Sequence, residues 1–186
     1  MTFPISVTPL GYSPGFGDPD RFVVSTLAPQ AIGDVQVANG QTAASQVWPT
    51  ANKAYFCPFI LTETRTYNNV VWLQGGVASG AIDIGVYDSV GNRQFSLGST
   101  NVSGTTTSQI SSVTPFTLTP GSYFLAMSCN NGTGSFMRMT PNSYSMRVAG
   151  SRMSTSVHPL PSTCTNWIGI TDGYMPIFGI AEQTWL

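Results

Sequence analysis

The chain has 186 residues, 41% hydrophobic and 11% aromatic but only 8% charged, where an average soluble domain carries roughly 25% charge. A chain of this length buries a core without disulfide or metal staples, and abundant aromatics with little charge argue against disorder. Lys53 is the sole lysine, the arginines (Arg21, Arg65, Arg93, Arg138, Arg147, Arg152) are scattered, and the formal net charge is −1, so the clustered cations that displace counterions from nucleic acid are missing.

Residues 1–50 read as an extended arm. Pro4, Pro9, Pro14 and Pro19 alternate with Gly11, Gly15 and Gly17, a density that blocks continuous helix or sheet. Phe3, Ile5, Val7, Leu10, Tyr12 and Phe16 are interspersed. An irregular yet apolar arm is expected to dock through these side chains, on its own domain or on a neighbouring subunit. The first residues lack a basic stretch followed by an apolar run, so no secretory signal is expected. Residues 21–27 read as a short strand, and 28–45 leave room for one helical turn.

From residue 51 to 186 the pattern is that of a β-sandwich domain. Residues 54–62 read as a strand interrupted by Pro58, which points to an edge or a bulge. Residues 69–74 form a second strand closed by Gly75 and Gly76. In 81–87, Ile82, Ile84 and Val86 face one way and Asp83, Gly85 and Tyr87 the other. Residues 88–92 read as a hairpin turn capped by Asp88, and 93–97 as its return strand. The Ser/Thr/Gly stretch 98–112 reads as a polar loop with a short strand near Ile110. Residues 116–118, the Pro120-Gly121 turn and the buried strand 123–129 follow. Further strands are expected at 136–139, 145–149, 167–170 and 176–180. Strand spacing of about ten residues favours an antiparallel sandwich of the jelly-roll kind.

Chemistry-bearing patterns are sparse. Cys57, Cys129 and Cys164 have no metal-ligand spacing and read as buried thiols. The single histidine, His158, lies in a Ser-rich loop without a nucleophile elbow and reads as inert. Asp83 is expected to pair with an arginine or face solvent. No phosphate loop follows the glycines, and no run is long enough to cross a bilayer. Neither catalytic residues nor a cofactor or metal site is expected. Trp185, beside the C-terminus, is expected to pack on a neighbour or on its own sheet.

Residues 53–129 carry a recognisable set of pieces: Pro58-Phe59 with Leu61, the strand bearing Trp72, the Gly80 to Gly91 hairpin with its Ile-Asp-Ile-Gly-Val-Tyr-Asp run, and Leu118 to Ala126 around Pro120-Gly121. This segment, about four tenths of the chain, resembles a β-sandwich accessory module of bacteriophage virion proteins, found in head decoration and tail proteins. The resemblance implies a virion-associated, non-catalytic role. The expected protein is an oligomeric head decoration (cement) protein, a homotrimer, assembled in the host cytoplasm with major capsid or tail proteins. The alternative is a tail-fibre or tail-tip adhesin that binds a cell-surface glycan. Neither nucleic-acid binding nor membrane insertion is expected.

Overall fold

The computed structural model describes residues 23–25, 44–105, 108–139 and 143–182. In chain order their elements are β1 (Val23–Ser25), β2 (Ala44–Val47), β3 (Ala54–Leu61), β4 (Arg65–Leu73), β5 (Ala81–Asp88), β6 (Arg93–Ser96), β7 (Thr100–Asn101), β8 (Ser108–Leu118), β9 (Gly121–Cys129), β10 (Ser135–Met139), α1 (Ser143–Val148), β11 (Arg152–Ser154), β12 (Ile168–Gly169), β13 (Met175–Pro176) and β14 (Phe178–Ala181). The all-β expectation holds, and every strand pair is antiparallel.

Three sheets form: β1-β14-β4-β8, β13-β10-β2, and β12-β11-β3-β9-β5-β6 with β7 also on β5. The two smaller sheets run into each other at Ile177, between β13 and β14. Its N–H donates to the Met137 carbonyl and its own carbonyl accepts from Leu73 N–H, both at 3.0 Å. Opposite them lies the largest sheet. Alternation along its central strands sends Tyr55, Cys57, Ile82, Ile84, Val86, Leu125 and Met127 into one cluster with Tyr67, Val70, Trp72, Phe136, Phe178 and Ile180 of the facing sheets. Each large apolar side chain buried there stabilises the fold by about 1.5–3 kcal/mol, so this sandwich-like interior dominates folding.

The largest sheet also buries its outer face. Ala54, Phe56, Tyr87 and Ala126 pack under Leu160 and Cys164, so the segment 155–167 lies across the sheet as a strap. β5 is therefore buried on both faces from Ala81 to Tyr87. Asp88 caps the following turn as expected: its Oδ1 accepts from Val90 N–H at 3.0 Å and Asn92 N–H at 2.9 Å. Pro58 also behaves as expected, because β11 pairs with β3 only at residues 54–56 and leaves β3 open beside the proline.

One expectation is corrected. Residues 145–149 are not a strand; α1 occupies Ser143–Val148. Tyr144, Met146 and Val148 mimic a period of two, yet only Met146 is buried. The helix ends in a Schellman pair, with Ser151 N–H on the Met146 carbonyl at 2.9 Å and Gly150 N–H on the Arg147 carbonyl at 3.0 Å. Gly150 supplies the left-handed φ of 88° that this ending needs. The polar stretch 98–112 carries a strand at Ile110 as expected and adds the short β7; the Ile110 strand, β8, runs on to Leu118, its register jumping between Tyr67↔Phe116 and Asn69↔Ser112. Val113, Thr114 and Pro115 fill that bulge, where a residue without an N–H costs no ladder bond.

Candidate functional site

The expected interface residues Phe3, Ile5, Val7, Leu10, Tyr12, Phe16 and Trp185 lie outside the described residues. What the structure does show is three groups of side chains on the folded sandwich, together with its exterior.

The first group fastens the strap. Asp83 is fully buried on the outer face of β5, which corrects the expectation of a solvent-facing or arginine-paired carboxylate. Its oxygens accept from Ser96 Oγ, Gly98 N–H and Leu160 N–H, each at 2.9 Å. Burial raises its pKa, and these hydrogen bonds and Arg93 oppose the rise. Arg93 itself donates to the Leu160 carbonyl, and Tyr87 Oη donates to Pro161 O at 2.6 Å. A strap backbone that crosses a sheet face needs its polar groups satisfied, and Asp83 supplies that on β5.

His158 sits on the same strap. Its Nδ1 is 3.0 Å from Ser128 Oγ and its Nε2 3.2 Å from the exposed Ser99 Oγ. A serine hydrolase would require a carboxylate behind the imidazole; here Nδ1 faces a hydroxyl and the Asp83 carboxylate holds the strap. Burial lowers the His158 pKa, opposed by the charge of Asp83 and the bond to Ser128. The trio therefore has the chemistry of an anchor. Sequence reading marked His158, but Ser99 and Ser128 carry no signal of their own; only the strand pairing brings them to it.

The second group surrounds Lys53, itself just 7% exposed. Its Nζ lies 2.5 Å from Asp172 Oδ2, which also accepts from Tyr55 Oη at 3.0 Å. Trp48 packs edge-on against Tyr55, Phe136 and Tyr174, with ring centroids 5.3, 5.4 and 5.5 Å away, and its indole donates to the Lys53 carbonyl at 3.2 Å. Burial raises the pKa of Tyr55, and Asp172 raises it further. Taking the Lys53 ammonium out of water is costly, so the polar tip of this aromatic box is its most distinctive chemistry. In sequence, Lys53 and Asp172 are too far apart for spacing to connect them.

The third group is an aromatic pair at the strap's end. Trp167 and Phe124 are half-buried, with ring centroids 4.6 Å apart and planes at 53°. Exposed Ser122, Thr165 and Asn166 flank them in the sequence.

The exterior is as informative as these groups. Every charged side chain among the described residues bonds to the chain itself. Lys53 pairs with Asp172, and Arg65 with Glu63 and Glu182. Arg138, Arg147 and Arg152 donate to the carbonyls of Gly173, Ile170 and Ser151, and Asp88 serves its own turn. Meanwhile Ile60, Val90, Tyr144, Val148 and Ile168 are each more than half exposed. Cys57, Cys129 and Cys164 are buried and unpaired with one another, and burial pushes the Cys57 thiol up to about 12. No cluster able to hold a metal and no helix long and apolar enough to cross a membrane occurs among the described residues. No family model, curated protein or solved structure matches this chain.

Proposed function

We propose that this chain is a non-catalytic structural protein of a bacteriophage particle: a jelly-roll subunit that oligomerises, as a trimer, and cements the head by packing on major capsid proteins. The observation that carries the reading is the charge inventory. A free protein stays dispersed through unpaired surface charge, and among the described residues the charged side chains bond to the chain itself while apolar and hydroxyl side chains face outward. Such an exterior suits a subunit covered by companions. The likeness of residues 53–129 to phage accessory modules supplies the setting, and the apolar residues expected of the N-terminal arm, Phe3 to Phe16, supply a means of reaching across a subunit boundary. Burial at roughly 25 cal/mol per Å² then offsets the ordering of the arm.

Antibody-labelled electron microscopy of purified particles tests this directly. Label on the head is the expected result, and deletion of residues 1–20 is expected to abolish incorporation. Absence of the protein from the particle overturns the proposal. A second reading, a tail adhesin for a cell-surface glycan, is favoured by the Trp167–Phe124 pair, since sugars stack on exposed aromatic rings flanked by hydroxyl and amide groups. Label at the tail tip with saturable glycan-array binding, lost in Trp167→Ala, would select it.

A further inference from the structure

We propose that Lys53 and Asp172 condense into an isopeptide, an amide cross-link from Nζ to Cγ that fastens the residue before β3 to the segment before β13. This goes beyond the virion reading and does not rest on it. Three features converge. Lys53 is the only lysine in the chain, and its side chain is 9% exposed against 32% for that of Asp172. Its Nζ touches Asp172 Oδ2 rather than reaching water. Its Nζ lies 5.3 Å from the Tyr55 ring centroid, and that ring packs with Trp48 and Tyr174, the Trp48 indole donating to the Lys53 carbonyl.

A proton passes from the Lys53 ammonium to Asp172 Oδ2 across their contact, leaving an amine beside a carboxylic acid. The amine lone pair attacks Cγ, and the Nζ–Cγ bond forms. A second Nζ proton goes to Oδ2, the Cγ–Oδ2 bond breaks, and Oδ2 leaves as water. The Tyr55 hydroxyl, which already donates to Oδ2, orients the carboxyl group for attack, and the negative charge of the tetrahedral intermediate develops on Oδ1. Oδ1 stays as the amide carbonyl, 3.4 Å from the Tyr174 N–H. The step is a condensation, so no oxidant or co-reactant is consumed. Fixing both groups in contact replaces a bimolecular encounter by an intramolecular one, and the partly open Asp172 gives water an exit.

Mass spectrometry of the purified full chain and its proteolytic fragments is the test. The wild type is expected to weigh less than its composition by one water, with Lys53 and Asp172 on a single branched fragment. Asp172→Ala and Lys53→Met, the latter filling the box with an apolar chain, are expected to carry their full mass. A folded wild type, with β-sheet circular dichroism, that keeps its full mass after prolonged incubation overturns the proposal. A water deficit that persists in both variants overturns it equally, since the loss then lies elsewhere.

Discussion

Hydroxyls hold both nitrogens of His158, which makes this residue a clean reporter of how the strap is held. The neutral ring is favoured because burial lowers the pKa below the ordinary 6.5 despite the opposing charge of Asp83. A folded value below the unfolded one means that the stability contributed by the neutral ring is complete above about 6.5 and is lost as pH falls through 6.5 toward the folded value. As the only histidine, it can be followed by NMR without assigning others, and its ring is expected to titrate below 6.5. The melting temperature of the wild type should fall across the same interval, while that of His158→Gln stays flat there. A ring titrating at or above the ordinary value would mean that the strap does not shield it.

Among elements, the strap is where local and long-range structure meet. Gly91 closes the β5–β6 hairpin with a φ of 96°, and a Cβ there would sit 2.1 Å from the Cys164 carbonyl oxygen. That carbonyl belongs to the strap, whose Cys164 N–H donates back to Gly91 O at 2.8 Å. Gly91→Ala therefore strains the turn and lifts the strap together. A loss of at least about 1–3 kcal/mol is expected in denaturant unfolding, with new proteolytic cuts between residues 155 and 167. Unchanged stability would mean that the hairpin and strap are not coupled. The same contact explains what the sequence could and could not disclose. Alternation in residues 81–87 shows which side chains enter the sandwich, and Asp88 with Gly91 announces the turn. Nothing local shows that the opposite face is also covered, so Asp83 reads as solvent-facing or arginine-paired until residue 160 is brought over it. Likewise Tyr144, Met146 and Val148 satisfy strand spacing over five residues, and only the backbone bonds ending at Gly150 reveal a helix. Lys53 and Asp172 meet because β3 and the β13 approach share the aromatic box, a relation with no trace in sequence spacing.

At the scale of the whole molecule, engaged charges and outward apolar groups have a consequence for association. If copies adhere through charge, added salt weakens them, because a screening length near 8 Å at physiological ionic strength shortens as salt rises. If they adhere through apolar and hydroxyl surfaces, added salt changes little, and sulfate strengthens contact by exclusion from the surface. The exterior described here belongs to the second kind. Sedimentation velocity should therefore find an oligomer whose dissociation constant shifts less than about threefold between dilute and high sodium chloride and tightens in ammonium sulfate, since each ion pair lost would weaken it further. Val148→Asp, placed on the most exposed large apolar side chain among the described residues, is the sharper probe. A stable monomer at every salt concentration would remove the reason for reading the uncharged exterior as a covered one. A monomer appearing only with Val148→Asp would place the helix α1 face inside the contact.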